Sequence, residues 1–255
     1  ADDRIKAHVL DIYRPEDSQE KILPVIINVH GGGLIIGNKE FNRYFCALLC
    51  KKGFLVYSIE YRLIPDCLIY DQISDVFMAM DYIKERLAAD GGDSSHVYMA
   101  GDSGGACLIT YVNAIQNSTN IARAANVTPL GLRINALGLI SGMFYTSRFD
   151  KIGLFLPKYL YGRDYKKTPF AKYVNPENRE LLNSLAPVWL VTSHNDFLRR
   201  YTTDFEKALT RAEREHEFVV FPKNKKLTHA FSVFEPFMPE SSAVIDMMVE
   251  YLRKF

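Results

Sequence analysis

Six short apolar runs, separated by longer stretches of mixed polarity, constrain this chain most strongly. Such near-continuous apolar runs suit strands that are covered on both faces. The longer stretches repeat apolar residues at helical spacing, as in 71–89 and 202–213. This alternation predicts an α/β fold, in which helices flank a mostly parallel sheet. The predicted strands are 25–29, 54–59, 97–100, 134–140, 188–192 and 218–221.

Two terminal segments complete the predicted sheet and its layers. An early strand over 7–13 would begin the sheet at an antiparallel edge, and an amphipathic helix over 241–255 would close the fold. At 255 residues the chain suits one large α/β unit, so we interpret 1–255 as a single domain. Hydrophobic residues make up 48% of the chain, which is enough to build a sizeable core.

The charge balance argues against two classes of partner. With 31 Lys and Arg against 30 Asp and Glu, the net charge of +1 gives no field that would gather nucleic acid or an anionic membrane. We therefore expect no nucleic-acid partner and no stable membrane association, while the charge leaves oligomerisation open. No run of 18 apolar residues is present, and residues 1–4 lack the pattern of a signal peptide. A cytoplasmic location is expected, although a signal removed before residue 1 would not be visible.

The cysteines are interpreted as small buried hydrophobic residues rather than as a disulfide or metal site. They form no CxxC pair. Cys46 and Cys50 stand one helical turn apart, but no neighbouring His or second Cys pair completes a zinc set. We therefore expect no metal. The four residues are Cys46, Cys50, Cys67 and Cys107.

Ser103 is the predicted nucleophile. It lies in the sequence Gly-Asp-Ser-Gly-Gly at 101–105, between the predicted strand 97–100 and a helical stretch over 106–116. A strand before a GxSxG sequence and a helix after it form the context of a nucleophile elbow. So tight a turn needs neighbours almost without side chains. The alternative, a phosphate-binding turn, lacks its P-loop Lys and its GxGxxG spacing.

A second glycine cluster, His-Gly-Gly-Gly at 30–33, comes directly after the predicted strand 25–29. Consecutive glycines let the backbone approach a ligand closely and turn N–H groups toward it, as an oxyanion hole requires. Alone, such a run is more often a flexible turn, but its pairing with a GxSxG elbow is typical of lipases and esterases. We interpret His30 as a structural residue that holds this loop through hydrogen bonds.

The acid and the base are predicted from their order along the chain. In folds with this elbow, the nucleophile is followed by Asp or Glu and then by His. Asp196 follows the predicted strand 188–192 and His229 follows the next, 218–221, so both lie where loops converge over the carboxyl edge of the sheet. His194 is the rival base, but it precedes Asp196 and would be out of order. Three further histidines lie at the wrong ends of strands: His8, His96 and His216.

Together these motifs resemble those of the bacterial hormone-sensitive-lipase-like esterases, a branch of the α/β-hydrolases. The resemblance implies an α/β-hydrolase fold, esters of short or medium acyl chains, and no cofactor. It also implies an oxyanion hole formed by the N–H groups of Gly32, Gly33 and Gly104. The matching segments cover nearly the whole chain: 30–33, 101–105, 196–198, 229–231, and 60–65, which is similar to the structural DYRLAP segment of the family.

The chain departs from the family pattern in two places. Strand-like sequence begins by about residue 7, where family members commonly carry a helical cap, so a reduced cap is expected with 143–173 as the candidate lid. The aromatic residues of 143–173 either contact substrate or anchor a long connection to the core. Gly104 stands where the family usually has Ala, which spares the N–H donor but loosens the turn. The aromatic residues are Phe144, Tyr145, Phe149, Phe155, Tyr159, Tyr161, Tyr165, Phe170 and Tyr173.

The leading functional hypothesis is a serine esterase that acts on a small-molecule ester of short acyl chain. Ser103 would attack the carbonyl, His229 would take its proton, and Asp196 would orient the imidazole. Acylated sugars are one substrate class that a reduced cap would admit. The alternatives are an amide hydrolase with the same triad, such as an arylformamidase or a small peptidase, and a hydrolase-fold binding protein without catalysis. The intact Ser, Asp and His argue against the binding protein.

Overall fold

The computed structural model describes residues 5–18 and 21–255 and contains a seven-stranded sheet in the order β1-β3-β2-β4-β5-β6-β7. The first strand pairs antiparallel with β3, and the other neighbouring strands are parallel. The predicted α/β fold with an antiparallel first strand is thereby confirmed. The strands are β1 (Leu10–Tyr13), β2 (Leu23–Val29), β3 (Leu55–Ile59), β4 (Gly92–Asp102), β5 (Leu137–Ile140), β6 (Val188–Ser193) and β7 (His216–Phe221).

Helices cover both faces of the sheet. Alternate side chains of each strand point to opposite faces, so Val25 and Ile27 join one buried cluster while Ile26 joins the other. Full burial of each such side chain contributes about 1.5–3 kcal/mol. The helices are α1 (Arg43–Lys51), α2 (Ile69–Arg86), α3 (Ser103–Asn117), α4 (Thr119–Ala125), α5 (Lys151–Phe155), α6 (Pro157–Leu160), α7 (Arg179–Asn183), α8 (Arg199–Arg211), α9 (Phe231–Phe234) and α10 (Pro239–Leu252).

Three predicted strand boundaries are wrong. Residues 7–9 are not part of β1, because the chain turns there and the His8 N–H donates to the Ile5 carbonyl. The strand β4 begins earlier than residue 97, since Gly92 pairs with Leu23 of β2 although the intervening residues are polar. The strand β5 is shorter than predicted and begins at Leu137. An apolar run indicates that a segment is buried, but a strand begins and ends where its backbone hydrogen bonds to a neighbouring strand do. The two limits therefore need not coincide.

The aromatic segment 143–173 contains α5, α6 and 3-10 turns, and its rings differ in burial, with Tyr165 half-buried. An ion pair of 2.8 Å between Arg148 and Asp204 attaches the segment to α8, as does a hydrogen bond of 2.6 Å from the Tyr201 hydroxyl to Asp150. Five rings are buried and anchor the connection: Phe144, Tyr145, Tyr161, Phe170 and Tyr173. Three are exposed: Phe149, Phe155 and Tyr159. The lid role of this segment stays a prediction.

Within 5–18 and 21–255, no helix is long and apolar enough to cross a membrane. Three of the four cysteines are buried, Cys50 is half-buried, and all four are free thiols. Residues 1–4, where the sequence lacks a signal-peptide pattern, lie outside the described residues.

Candidate active site

Ser103 occupies the sharp turn between β4 and α3. Its φ of 50° lies in the left-handed region, which a residue with a side chain rarely adopts. The turn can be this tight because a Cβ on Gly105 would lie only 2.2 Å from the Val29 carbonyl oxygen, so only glycine lets α3 begin against the end of β2. The arrangement places Ser103 at the first turn of α3, where backbone N–H groups have no partner within the helix.

His229 lies between Ser103 and Asp196 and contacts both. Its Nε2 is 2.9 Å from Ser103 Oγ, and its Nδ1 is 2.7 Å from Asp196 Oδ1. Because an ionised carboxylate only accepts hydrogen bonds, Nδ1 carries the proton and Nε2 is left to accept from the serine hydroxyl. The chain thus brings the three predicted triad residues together from the ends of β4, β6 and β7.

The Asp196 carboxylate is held by several donors besides His229. Oδ2 accepts from Thr192 Oγ1 at 2.8 Å, and Oδ1 also accepts from the Leu198 N–H at 2.8 Å. Burial alone would raise the pKa of Asp196, but the hydrogen bonds from His229, Ser141 and Leu198 outweigh it and the pKa lies below its ordinary value. Asp196 is therefore a fixed anion beside the imidazole.

Two loops supply backbone N–H groups near the nucleophile. Gly32 and Gly33 both have positive φ, 106° and 64°, and within the described residues their N–H groups have no protein acceptor. Gly104 lies against this loop so closely that a Cβ there would be 2.9 Å from the Leu34 nitrogen and 3.1 Å from the Gly33 nitrogen. A side chain at this position would press on the glycine loop, and glycine avoids that contact. The structure brings the three predicted oxyanion-hole glycines to one place.

A buried polar network lies behind these loops, and of its members only His30 was predicted from the sequence to hold the glycine loop. Asp102 Oδ1 accepts from the Gly31 N–H at 3.0 Å and from Asn42 Nδ2 at 2.9 Å. His30 Nε2 contacts Glu60 Oε1 at 2.8 Å, and its ring stacks on Tyr61. These contacts fix both sides of the glycine loop. Asn42 carried no motif, and only its position in the fold reveals its role.

The remaining histidines lie apart from the nucleophile. His194 is exposed, and its Nδ1 is 2.8 Å from Arg199. His8 contacts Asp75, His96 contacts Asp93, and His216 contacts Glu206. In the described part of the chain, His229 is the histidine hydrogen-bonded to Ser103.

Exposed aromatic side chains follow the same loops. The ring of Phe197, which is 74% exposed, lies 4.5 Å from that of His229 between centroids. Phe41 after the glycine loop and Phe234 in α9 form an edge-to-face pair at 6.4 Å. Large apolar surface left in solvent is typical of a binding region. No pattern in the sequence distinguishes these rings from core aromatics.

A family model described as the α/β-hydrolase fold matches residues 26–232. The chain belongs to this α/β-hydrolase family. The family prediction is thereby confirmed, and the match covers the glycine loop, the elbow, Asp196 and His229.

Curated relatives of this α/β hydrolase match over part of their length. Over 184 residues it is 29% identical to the "Probable isoprenylcysteine alpha-carbonyl methylesterase ICME" of Oryza sativa subsp. japonica, covering 68% of this chain and 44% of the relative. Over 131 residues it is 30% identical to "Tuliposide A-converting enzyme b1, amyloplastic" of Tulipa gesneriana, covering 46% of this chain and 35% of the relative. The hydrolase spans less than half the length of these relatives.

Solved structures share the fold over almost the whole chain. Esterase B from Lactobacillus rhamnosis superposes with a TM-score of 0.89 at 24% identity, covering 96% of this chain and 80% of the other. The hyperthermophilic esterase from the archaeon Pyrobaculum calidifontis gives a TM-score of 0.73 at 22% identity, covering 96% and 81%. At these identities the likeness concerns the fold alone.

Proposed function

We propose that this chain is a serine esterase that hydrolyses small carboxylic esters through an acyl-enzyme on Ser103. One observation carries the proposal: Asp196, His229 and Ser103 form a continuous hydrogen-bonded relay of 2.7 and 2.9 Å. A base within hydrogen-bond reach of a hydroxyl, itself oriented by a third group, is the signature of an activated nucleophile. The resemblance to hormone-sensitive-lipase-like esterases supports the same assignment.

In the proposed mechanism, Ser103 Oγ attacks the ester carbonyl carbon while its proton passes to His229 Nε2. Asp196 stabilises the resulting imidazolium and holds its orientation. The N–H groups of Gly32, Gly33 and Gly104 donate to the oxyanion of the tetrahedral intermediate. Collapse breaks the ester C–O bond, and the imidazolium gives its proton to the leaving alcohol. Water then attacks the acyl-enzyme by the same route and releases the acid and free Ser103.

The substrate class is proposed from two sources. The relatives carry names of methylesterases and of a tuliposide-converting enzyme, and one solved structure is of esterase B with a C4-C4 tributyrin phosphonate. Each additional CH₂ contributes up to about 0.8 kcal/mol only if it is buried. The exposed Phe149 and Phe155 leave the candidate lid open to solvent, which favours acetyl to butyryl esters over long chains. Acylated sugars remain one candidate alcohol component.

A panel of p-nitrophenyl esters tests this proposal. We expect kcat/KM to fall from butyryl to decanoyl esters, measured below their micellar limits. A steady rise through decanoyl would contradict the short-chain assignment and indicate an enclosed channel. A matched butyryl anilide tests the competing amide-hydrolase hypothesis, since faster turnover of the anilide than of the ester would favour it. Binding of the phosphonate analogue without turnover of any ester would favour a non-catalytic protein.

Cellular location and assembly stay predictions. We expect a cytoplasmic protein, with secretion through a removed signal as the alternative. The near-neutral net charge supports the expectation of no stable membrane association. Fractionation of cells that express the native gene distinguishes the two, and light scattering of the purified chain measures its oligomeric state. The proposed route requires no cofactor, no metal and no partner besides the ester.

A further inference from the structure

We propose that Ser141 is a positioning residue that couples the nucleophile to the base loop, a role that rests on the proposed esterase function. Ser141 directly follows β5, the strand between those that lead to Ser103 and to Asp196. It contributes no atom to the reaction. Its side chain is 2% exposed, and it joins two of the loops that carry the triad.

The hydroxyl of Ser141 holds the base loop. Its Oγ accepts from the Ala230 N–H at 3.1 Å, which fixes the residue directly after His229. The same hydroxyl is one of the groups that keep the pKa of Asp196 below its ordinary value. An apolar side chain could not accept from the Ala230 N–H.

The backbone around Ser141 extends these contacts to the nucleophile. The Met143 N–H donates to the Ser103 carbonyl at 3.0 Å, and the Ser141 N–H donates to the Val191 carbonyl of β6 at 2.9 Å. The loop over 141–143 therefore contacts the nucleophile, the strand that leads to the acid, and the residue beside the base. A displacement of this loop would change the relative positions of all three.

Backbone strain marks the same positions. Ser141 and Ala230 have φ values of 51° and 49°, in the left-handed region that non-glycine residues rarely adopt. Such conformations persist where surrounding contacts over-determine them, and they cluster at functional sites. Ser141 and Ala230 are hydrogen-bonded to each other, so each strained residue helps to hold the other.

Two substitutions separate the hydroxyl from the backbone conformation. Ser141→Ala removes the hydroxyl and keeps a side chain at positive φ, whereas Ser141→Gly removes the hydroxyl and relieves the strain. The matched control is Ser232→Ala, because Ser232 is also buried near His229 but, within the described residues, its hydroxyl has no hydrogen-bond partner. Circular dichroism and thermal melting establish that each variant is folded.

We expect both Ser141 variants to lose about tenfold to a hundredfold in kcat on p-nitrophenyl butyrate, with KM within about threefold of wild type, because small misplacements of reacting groups cost rate rather than binding. The Ser232→Ala control should retain the wild-type kcat and KM.

Two results would overturn this role. One is recovery of the wild-type rate by Ser141→Gly while Ser141→Ala stays impaired. Backbone strain, and not the loss of the hydroxyl, would then explain the lower rate. The other is wild-type kcat and KM in both folded variants. Labelling of Ser103 by a fluorophosphonate separates this failure from failure of the esterase proposal. If the wild-type chain is not labelled, the proposed function fails; if wild type and both variants are labelled at one rate, only the role of Ser141 fails.

Discussion

Replacement of Asp196 by Asn removes the charge of the proposed acid and keeps its shape. The surroundings determine how the new amide would lie. Oδ1 faces two donors, His229 Nδ1–H and the Leu198 N–H, and the backbone N–H cannot become an acceptor. Oδ2 faces the Thr192 hydroxyl, which can rotate and accept from an NH₂ group. The amide oxygen should therefore stay toward His229, and the imidazole should keep its tautomer.

The expected loss then comes from the missing charge alone. Two unit charges about 4 Å apart interact by about 4 kcal/mol at an effective dielectric constant of about 20. That energy supports the imidazolium formed in the transition state, so Asp196→Asn should lower kcat by about a thousandfold. A flipped tautomer would cost more, about ten-thousandfold, as in other triads.

Steady-state hydrolysis of p-nitrophenyl butyrate measures this loss, with KM expected to change little. The matched control is Asp93→Asn, because Asp93 forms a similar contact of 2.7 Å with His96, exposed at the other end of β4. That variant should keep the wild-type rate. A rate above one tenth of wild type in Asp196→Asn would refute the electrostatic role. An equal loss of rate in both variants would show that the effect is not particular to the Asp196–His229 pair.

Five further substitutions test the remaining assignments. Ser103→Ala should lower kcat by on the order of 10⁶ in a folded protein, and a rate above a tenth of wild type would reject this nucleophile. His229→Ala should match that loss while His194→Ala stays within about tenfold of wild type; the reverse ranking in the same assay would reassign the base. Gly104→Ala should lower kcat by at least about tenfold, because the new Cβ would press on the glycine loop. A variant with full activity and an unmoved glycine loop in its crystal structure would contradict this. Burial raises the pKa of Asp102 above 3.8 despite the Asn42 hydrogen bond, so the contribution of this carboxyl to folding stability falls as pH rises. In urea unfolding, Asp102→Asn should therefore gain stability relative to wild type from pH 4 to 8. A difference in stability that stays constant over this range would exclude the buried carboxyl as the cause.

Local sequence signals were sufficient for the order of elements and for the candidate triad. The runs that became β2, β3 and β6 are buried on both faces, so their composition alone marked them. The residues of the relay follow strand ends, and parallel strands bring their carboxyl ends to one edge. Ser103 and His229 lie 126 residues apart in the sequence, yet the expected strand topology was enough to predict that they meet.

Other features depend on packing that no local pattern encodes. Asn42 and Asp102 meet because the start of α1 lies against the elbow, and neither residue type at its position indicates a partner 60 residues away. The rings of 143–173 look alike in sequence, yet Phe170 is buried and Phe149 is exposed. Phe170 packs against Tyr70 of α2 and Tyr111 of α3, and a composition argument could only leave both outcomes open.

Non-glycine residues with positive φ are the feature that is hardest to predict from the sequence. A glycine at positive φ is expected from its lack of a Cβ, so the glycine loop could be interpreted in advance. Ser141 and Ala230 adopt the same region with side chains present, and nothing in their identity reports it. Their strain is balanced by a hydrogen bond between loops that are 89 residues apart, beside the acid and the base. Several loops have to meet at fixed distances at one sheet edge, so some of the backbone there adopts a disfavoured conformation. The side chains that stabilise this backbone then matter for function although they belong to no recognisable sequence motif.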